Sequence, residues 1–250
     1  MWRVALAVVM LLAGCSGFFP AGTTTDDSDP VTPAPVPTST SDVTVAVPTT
    51  GGTVDVERLL DRHEQALANR SFHRHVVRAG PQHTLDVWID RERDVRRVQR
   101  RFGPIADDVI VSNGTVYNNV HDDPETPYTT SPATPNTSLV ASPSGRDLLR
   151  FLLANSEYRQ VDSFRWNGHR VAVLAVIETG EAPATAENES VVVTSRLYVD
   201  QQGIIRYAKH TERRSDQWDI ETTMTVTTDV ERVPIPWWLD ENDPYASGSM

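Results

Sequence analysis

Two histidines and a run of arginines are the side chains whose spacing first suggests chemistry. His73 and His75 stand two residues apart, so a strand would turn both imidazoles to one side. Two imidazoles can chelate a transition metal, but a usable site needs a third ligand. The fold would have to bring that ligand in, so the sequence predicts no metal site and no cofactor. His63, His83, His121, His169 and His210 are scattered. Arg91, Arg93, Arg96, Arg97, Arg100 and Arg101 crowd one short segment, and a guanidinium fork matches the oxygens of phosphate or sulfate. Glu92 and Asp94 are interleaved, however, and the arginines fall on both parities, which a strand with one binding face would not show. The run is therefore expected to be a solvated strand. Nucleophile signatures are absent: there is no Gly-x-Ser-x-Gly elbow, no Ser-x-x-Lys and no phosphate-cradling glycine loop. The expectation is a protein that is not an enzyme.

Cys15 is the single cysteine, so no disulfide can form within the chain. It follows an apolar run from Val4 to Ala13 that is shorter than the roughly 20 residues a membrane span requires. Such a run reads as the core of an export signal. Leu12-Ala13-Gly14-Cys15-Ser16 resembles the bacterial and archaeal lipobox, in which the cysteine thiol takes a diacylglyceryl thioether. The resemblance implies a signal peptide over 1–14, lipidation of Cys15, and a protein anchored to the extracellular face of the cell membrane. Acyl chains contribute about 0.8 kcal/mol per buried CH2, so two of them hold a protein without any membrane-spanning helix.

Of 250 residues, 23 are basic and 34 acidic, for a net charge of -11. That balance excludes a nucleic-acid binder, which needs a surplus of Lys and Arg against phosphates. Lys209 is the only lysine. Arginine preference beside excess carboxylate suits molar salt, where the Debye length is about 3 Å and like charges hardly repel. A GC-rich genome favours arginine as well.

The elements that must position these residues begin after a long polar stretch. From Ser16 to Gly52 there is no Lys, Arg or Glu but abundant Thr, Pro and Asp, too little apolar surface to offset the entropy of ordering. Residues 15–52 are expected to form a disordered tether. Val56, Leu59, Leu60, His63 and Leu67 then mark one face of a helix over 54–69, capped by Asp55 or Thr53. On that stripe His63 reads as a packed, hydrogen-bonded core residue. Strands are predicted at 72–79, 84–90 and 95–101. Asn113-Gly114 and Asn167-Gly168 each fit the type I′ turn of a hairpin. The segment from His121 to Pro143 reads as a loop. A second helix is expected from Ser144, with Leu148, Phe151 and Leu152 as its apolar stripe. Further strands follow at 171–177, 191–200 and 204–211. In the last strand Trp218, Ile220, Met224, Val226 and Val230 share even positions, giving one buried and one wet face.

The count predicts an α+β fold: one large curved antiparallel sheet of about ten strands, a half-barrel, with two helices covering its concave face. Its domain spans 53–240, followed by a flexible tail over 241–250. Leu59, Leu60, Phe151, Leu152, Trp218, Ile220, Met224 and Val226 are the predicted core or apolar-ligand residues. Sequons at Asn69, Asn113, Asn136 and Asn188 suit N-glycosylation of an exported chain, and Asn113 is also explained by its turn. Trp237 and Trp238 are expected in a strap packed on the edge of the sheet, the alternative being contact with a cavity mouth or lipid head groups.

Leu197-Tyr198-Val199-Asp200-Gln201-Gln202-Gly203-Ile204-Ile205-Arg206 resembles the strand, Asp-x-x-Gly turn and return strand of the half-barrel lipoproteins. That group includes the LolA and LolB carriers and the mycobacterial lipid-binding lipoproteins LppX and LprG. Asn69-Arg70-Ser71-Phe72 and Val233-Pro234-Ile235-Pro236-Trp237-Trp238 also resemble segments of surface lipoproteins of halophilic archaea. The resemblance implies a lipid or other apolar ligand held between sheet and helices, and it brings no catalytic signature. The alternative is a structural or protein-interaction module of the envelope.

Overall fold

The computed structural model describes residues 45–78, 83–119, 127–134, 137–179, 191–214, 219–228 and 230–239. A two-stranded hairpin, β1 (Thr49–Thr50) and β2 (Thr53–Val54), leads into helix α1 (Val56–Leu67). The strands β3 (Phe72–Arg78), β4 (His83–Asp90), β5 (Val95–Phe102), β6 (Ile105–Ser112), β7 (Thr115–Asn119) and β8 (Tyr128–Pro132) follow. After helix α2 (Arg146–Leu153) come β9 (Ser156–Trp166), β10 (His169–Thr179), β11 (Val191–Asp200), β12 (Ile205–Arg214) and β13 (Ile220–Thr227).

Among the described residues eleven strands form one antiparallel sheet in the order β8-β7-β6-β5-β4-β3-β13-β12-β11-β10-β9. Two meanders thus meet where β3 pairs with β13, and the segment carrying α2 crosses from one edge of the sheet to the other. The sheet is open and curved, as the sequence predicts, with one strand more than expected. That strand is β8, inside the segment read as a loop. It pairs only with β7 and four of its five residues are exposed, so edge position freed its Thr- and Pro-rich sequence from the alternation that marks a half-buried strand.

Helix α1 is capped by Asp55, whose Oδ1 accepts from the Arg58 N–H at 3.1 Å. It buries Leu59, Leu60, His63 and Leu67 on the inner face of the sheet, beside Phe72, Val76, Leu197, Met224 and Val226. Val45 is buried in the same core, so packing starts upstream of Thr53. Helix α2 differs from expectation in phase. Its buried residues are Leu149, Leu152 and Leu153, while Phe151 is 72% exposed. In Arg146-Asp147-Leu148-Leu149-Arg150-Phe151-Leu152-Leu153 the stripes 148/151/152 and 149/152/153 have identical spacing, so periodicity sets the helix but not its rotation. Gly145 caps α2 with φ +86°, and a Cβ there would lie 2.6 Å from Arg74 Nη1. Arg146 reaches Glu57, Asp61 and Glu64, and Arg150 reaches Glu57, tying α2 to α1.

His63 is fully buried. Its Nδ1 accepts the Ile205 N–H at 3.1 Å, so Nε2 carries the proton and donates to the Ser144 carbonyl at 3.0 Å. Both Asn-Gly turns have the expected geometry, with φ +50° and +74° at Asn113-Gly114 and +46° and +82° at Asn167-Gly168. Asp200 Oδ1 accepts the N–H groups of Gln202 and Ile204, each at 2.9 Å, and Oδ2 accepts from Arg206 Nε at 2.7 Å. The Asp-x-x-Gly motif is therefore a turn staple.

The outer face carries a second core. Val233, Trp238 and Leu239 lie on Val95, Ile110 and Tyr117. The strap predicted for the sheet edge crosses this face instead. Trp238 donates from Nε1 to Asp108 Oδ2 at 3.0 Å, whereas Trp237 is 88% exposed. Asp108 also holds Arg97 through both oxygens, at 2.9 and 2.6 Å, and Arg97 Nη1 donates to the Pro234 carbonyl at 2.7 Å.

Candidate ligand cleft

β4 and β5 pair with Val87 opposite Val98 and Ile89 opposite Arg96. Alternation along each strand turns these four side chains to the inner face. Beyond α2's N-terminus the segment 137–143 passes over them, and a cleft of about 240 Å³ is left, lined by Val87, Ile89, Arg96, Val98, Leu139 and Val140 among others. Two arginines hold the covering segment. Arg74 Nη1 donates to the Ser142 carbonyl at 2.9 Å, and Arg100 donates to the carbonyl of Leu139.

Charge in this region is unevenly compensated. Arg100 pairs with Asp107 at 2.6 Å. Arg96 and Arg74 have no carboxylate partner among the described residues, and the Nε of each is buried without a hydrogen bond. Burial pushes the Arg74 guanidinium down to about 10, still cationic at neutral pH. An N–H buried without a partner costs about 1–3 kcal/mol. The cleft can thus hold an aliphatic segment against its valines and leucines and face an anion with Arg96.

The predicted residues lie mostly elsewhere. Leu59, Leu60, Leu152, Met224 and Val226 are buried in the packed core beneath the helices, Ile220 is half-buried at the start of β13, and none lines the cleft. Buried side chains pack between the sheet and the helices, and the cleft lies beside that core, over β4 and β5. Phe151, assigned to core or ligand, faces solvent for the reason given by the phase of α2. Asn69 and Asn113 are exposed. Cys15, Trp218, Asn136 and Asn188 lie outside the described residues. His73 and His75 stand on the outer face of β3, away from the cleft.

The arginine run is not a solvated strand throughout. Arg97 is buried on the outer face and Arg96 lines the cleft, because mixed parity here means two faces with separate tasks. Sequence reasoning places Arg96 among six arginines without singling it out and gives the 137–143 segment no role. The signal available was the inward parity shared by Arg96, Val98 and Arg100; which face is inner depends on pairing with β4.

Among the described residues no helix is long and apolar enough to cross a membrane. Residues 1–242 match a family described as a family of unknown function, DUF7537. No curated protein sequence matches the chain. Among solved structures, the chain is similar to MucB in its complex with MucA(peri), at 16% identity over 75% of this chain and 59% of that one, with a TM-score of 0.36. It therefore spans about three fifths of MucB. It is also similar to LprF from Mycobacterium bovis, at 10% identity over 73% of this chain and 96% of that one, TM-score 0.39. A LolA superfamily protein from Nitrosomonas europaea gives 8% identity over 72% and 96%, TM-score 0.25. Identities and scores this low transfer no ligand and no activity.

Proposed function

We propose, for a chain that belongs to the DUF7537 family, a non-catalytic, lipid-anchored protein of the outer cell surface that binds an amphiphile with an anionic group. The observation that carries the ligand is the cleft over β4 and β5, where aliphatic side chains meet the Arg96 guanidinium, which has no carboxylate partner among the described residues. A ligand that fills it gains apolar burial at roughly 25 cal/mol per Å² and sets its anionic group beside the Arg96 guanidinium. At about 240 Å³ the cleft falls just below the usual range of roughly 300–1,000 Å³ for ligand sites. It suits one acyl segment or a short amphiphile, not a whole diacyl lipid.

Anchoring rests on the lipobox at Cys15. Cys15→Ser should release the protein from membranes, and unchanged retention would count against the anchor. For the ligand, native mass spectrometry of the protein expressed in its source cell should show a co-purifying acidic amphiphile, lost in Arg96→Met. A wild-type protein that carries no lipid, or one isolated with a specific protein partner instead, would favour an envelope interaction module and overturn this reading.

A further inference from the structure

The outer face of the sheet brings together three side chains on the side of β4 opposite the cleft. His75 pairs directly with Asp86 across β3 and β4, and His73, two residues earlier, points to the same side. Asp86 Oδ1 accepts from His73 Nε2 at 2.8 Å and from His75 Nδ1 at 2.7 Å. The donor atoms of all three residues lie within 4.8 Å of one another. The third group that the histidine pair lacks in sequence is thus supplied by the neighbouring strand.

The geometry points to a binding site for a divalent transition-metal ion, with His73 Nε2, His75 Nδ1 and one Asp86 carboxylate oxygen as protein ligands and a fourth position open to solvent. Bonds of about 2.0–2.1 Å in a tetrahedral array set neighbouring ligand atoms about 3.3 Å apart. The two contacts of 2.8 and 2.7 Å to Asp86 lengthen by about half an ångström to reach that spacing, and the ring nitrogens, within 4.8 Å of each other, turn in toward the ion. The two N–H···O bonds are then replaced by N–metal and O–metal bonds. A neutral ring moves its proton to its other nitrogen, and an imidazolium releases one to water. Two imidazoles and a carboxylate suit zinc, copper, nickel or iron and disfavour magnesium and calcium, which take oxygen ligands.

Rigidity supports the assignment. His73 stacks on Trp88 with ring centroids 4.6 Å apart and planes within 2°, so its orientation is set before any ion arrives. Trp88 in turn lies under the Arg97 guanidinium at 4.9 Å. The Arg97 charge would repel a cation, but Asp108 neutralises it through two hydrogen bonds. The positions paired on β13 with His73 and His75 are Thr227 and Thr225, small side chains. The imidazoles are partly exposed and Asp86 less so, an arrangement open on one side. Three protein ligands and an open position mark a site that exchanges or presents its ion; a structural zinc closes all four.

Titration calorimetry of Zn²⁺ into the untagged full chain tests this directly. One ion per chain at micromolar or better Kd is expected. Asp86→Asn should weaken binding at least tenfold, His73→Asn with His75→Asn should abolish it, and His169→Asn should leave it unchanged. Cu²⁺ at one equivalent should give an EPR spectrum split by two imidazole nitrogens. Wild-type protein with no saturable Zn²⁺ binding, a double histidine variant that binds as tightly as wild type, or a copper spectrum without two-nitrogen coupling would overturn the site. If the double variant does not fold, Asp86→Asn, close in shape to the native residue, decides by the same titration. Loss of the amphiphile in Arg96→Met leaves the metal result untouched, since the two sites occupy opposite faces.

Discussion

Arg96 and Arg97 are neighbours in sequence and identical in type, yet the two faces of the sheet use them in opposite ways. On the outer face Arg97 is closed in: Asp108 takes two of its hydrogen bonds, the Pro234 carbonyl a third, and Trp88 lies beneath it. On the inner face Arg96 borders the cleft over β4 and β5, with its Nε unpartnered. A buried arginine with every partner in place is a structural lock, and one left short of partners marks a place where a ligand can complete the network.

The contrast yields measurable differences, largest first. Arg97→Ala strands the Asp108 carboxylate under the strap, and breaking one partner of a buried pair costs about 3–5 kcal/mol. Urea denaturation should show that loss, and a cost equal to that of Arg96→Met would erase the distinction between the faces. Trp238→Ala removes the strap's main buried side chain and a hydrogen bond to Asp108. About 3 kcal/mol should be lost, and a Tm within a degree of wild type would mean that the strap does not hold the outer face.

Acid separates the faces in another way. His63, packed under α1 on the inner face, is pushed down to about 4 chiefly by burial. Below its unfolded value near 6.5 the unfolded chain binds a proton that the folded one refuses, so stability falls as pH drops from 6.5 toward 4 and levels off beneath. Between pH 7.5 and 5 this amounts to about 2 kcal/mol, measurable as a shift in the urea midpoint. His63→Gln should remove most of that slope, and an unchanged slope would place the acid sensitivity elsewhere. Burial lowers His210 as well, in the same direction. The smallest effect is at the cleft: Arg96→Met should change stability by no more than about 0.5 kcal/mol, or raise it, by deleting an unpartnered polar atom. A loss of several kcal/mol would show that Arg96 is a structural residue after all.

Much of the fold was legible because its signals are local. The α1 stripe, the Asp55 cap, both Asn-Gly turns and the alternation of Met224 and Val226 each need only a few neighbouring residues to be read. β8 was not legible, since an exposed edge strand has no pattern to display. Phe151 was not legible as an exposed residue, because the stripes 148/151/152 and 149/152/153 compete with equal spacing in α2 and the core beneath selects between them. The candidate sites were least legible. Arg96 could be seen only as part of a charged run, and Asp86 carried no sign of its place beside two histidines.

By itself, the amino-acid order determined the periods: where the chain coils, where it extends and where it reverses, together with the acidic balance and the lone Cys15. Tertiary structure decided the phases: which face of α2 is buried, which arginine of β5 looks inward, and which carboxylate on β4 meets His73 and His75. The physical reason is range. Propensities and turn geometry act over a few residues, whereas burial and strand register join groups distant in sequence, and a shift of one residue in register would send every side chain of a strand to the other face.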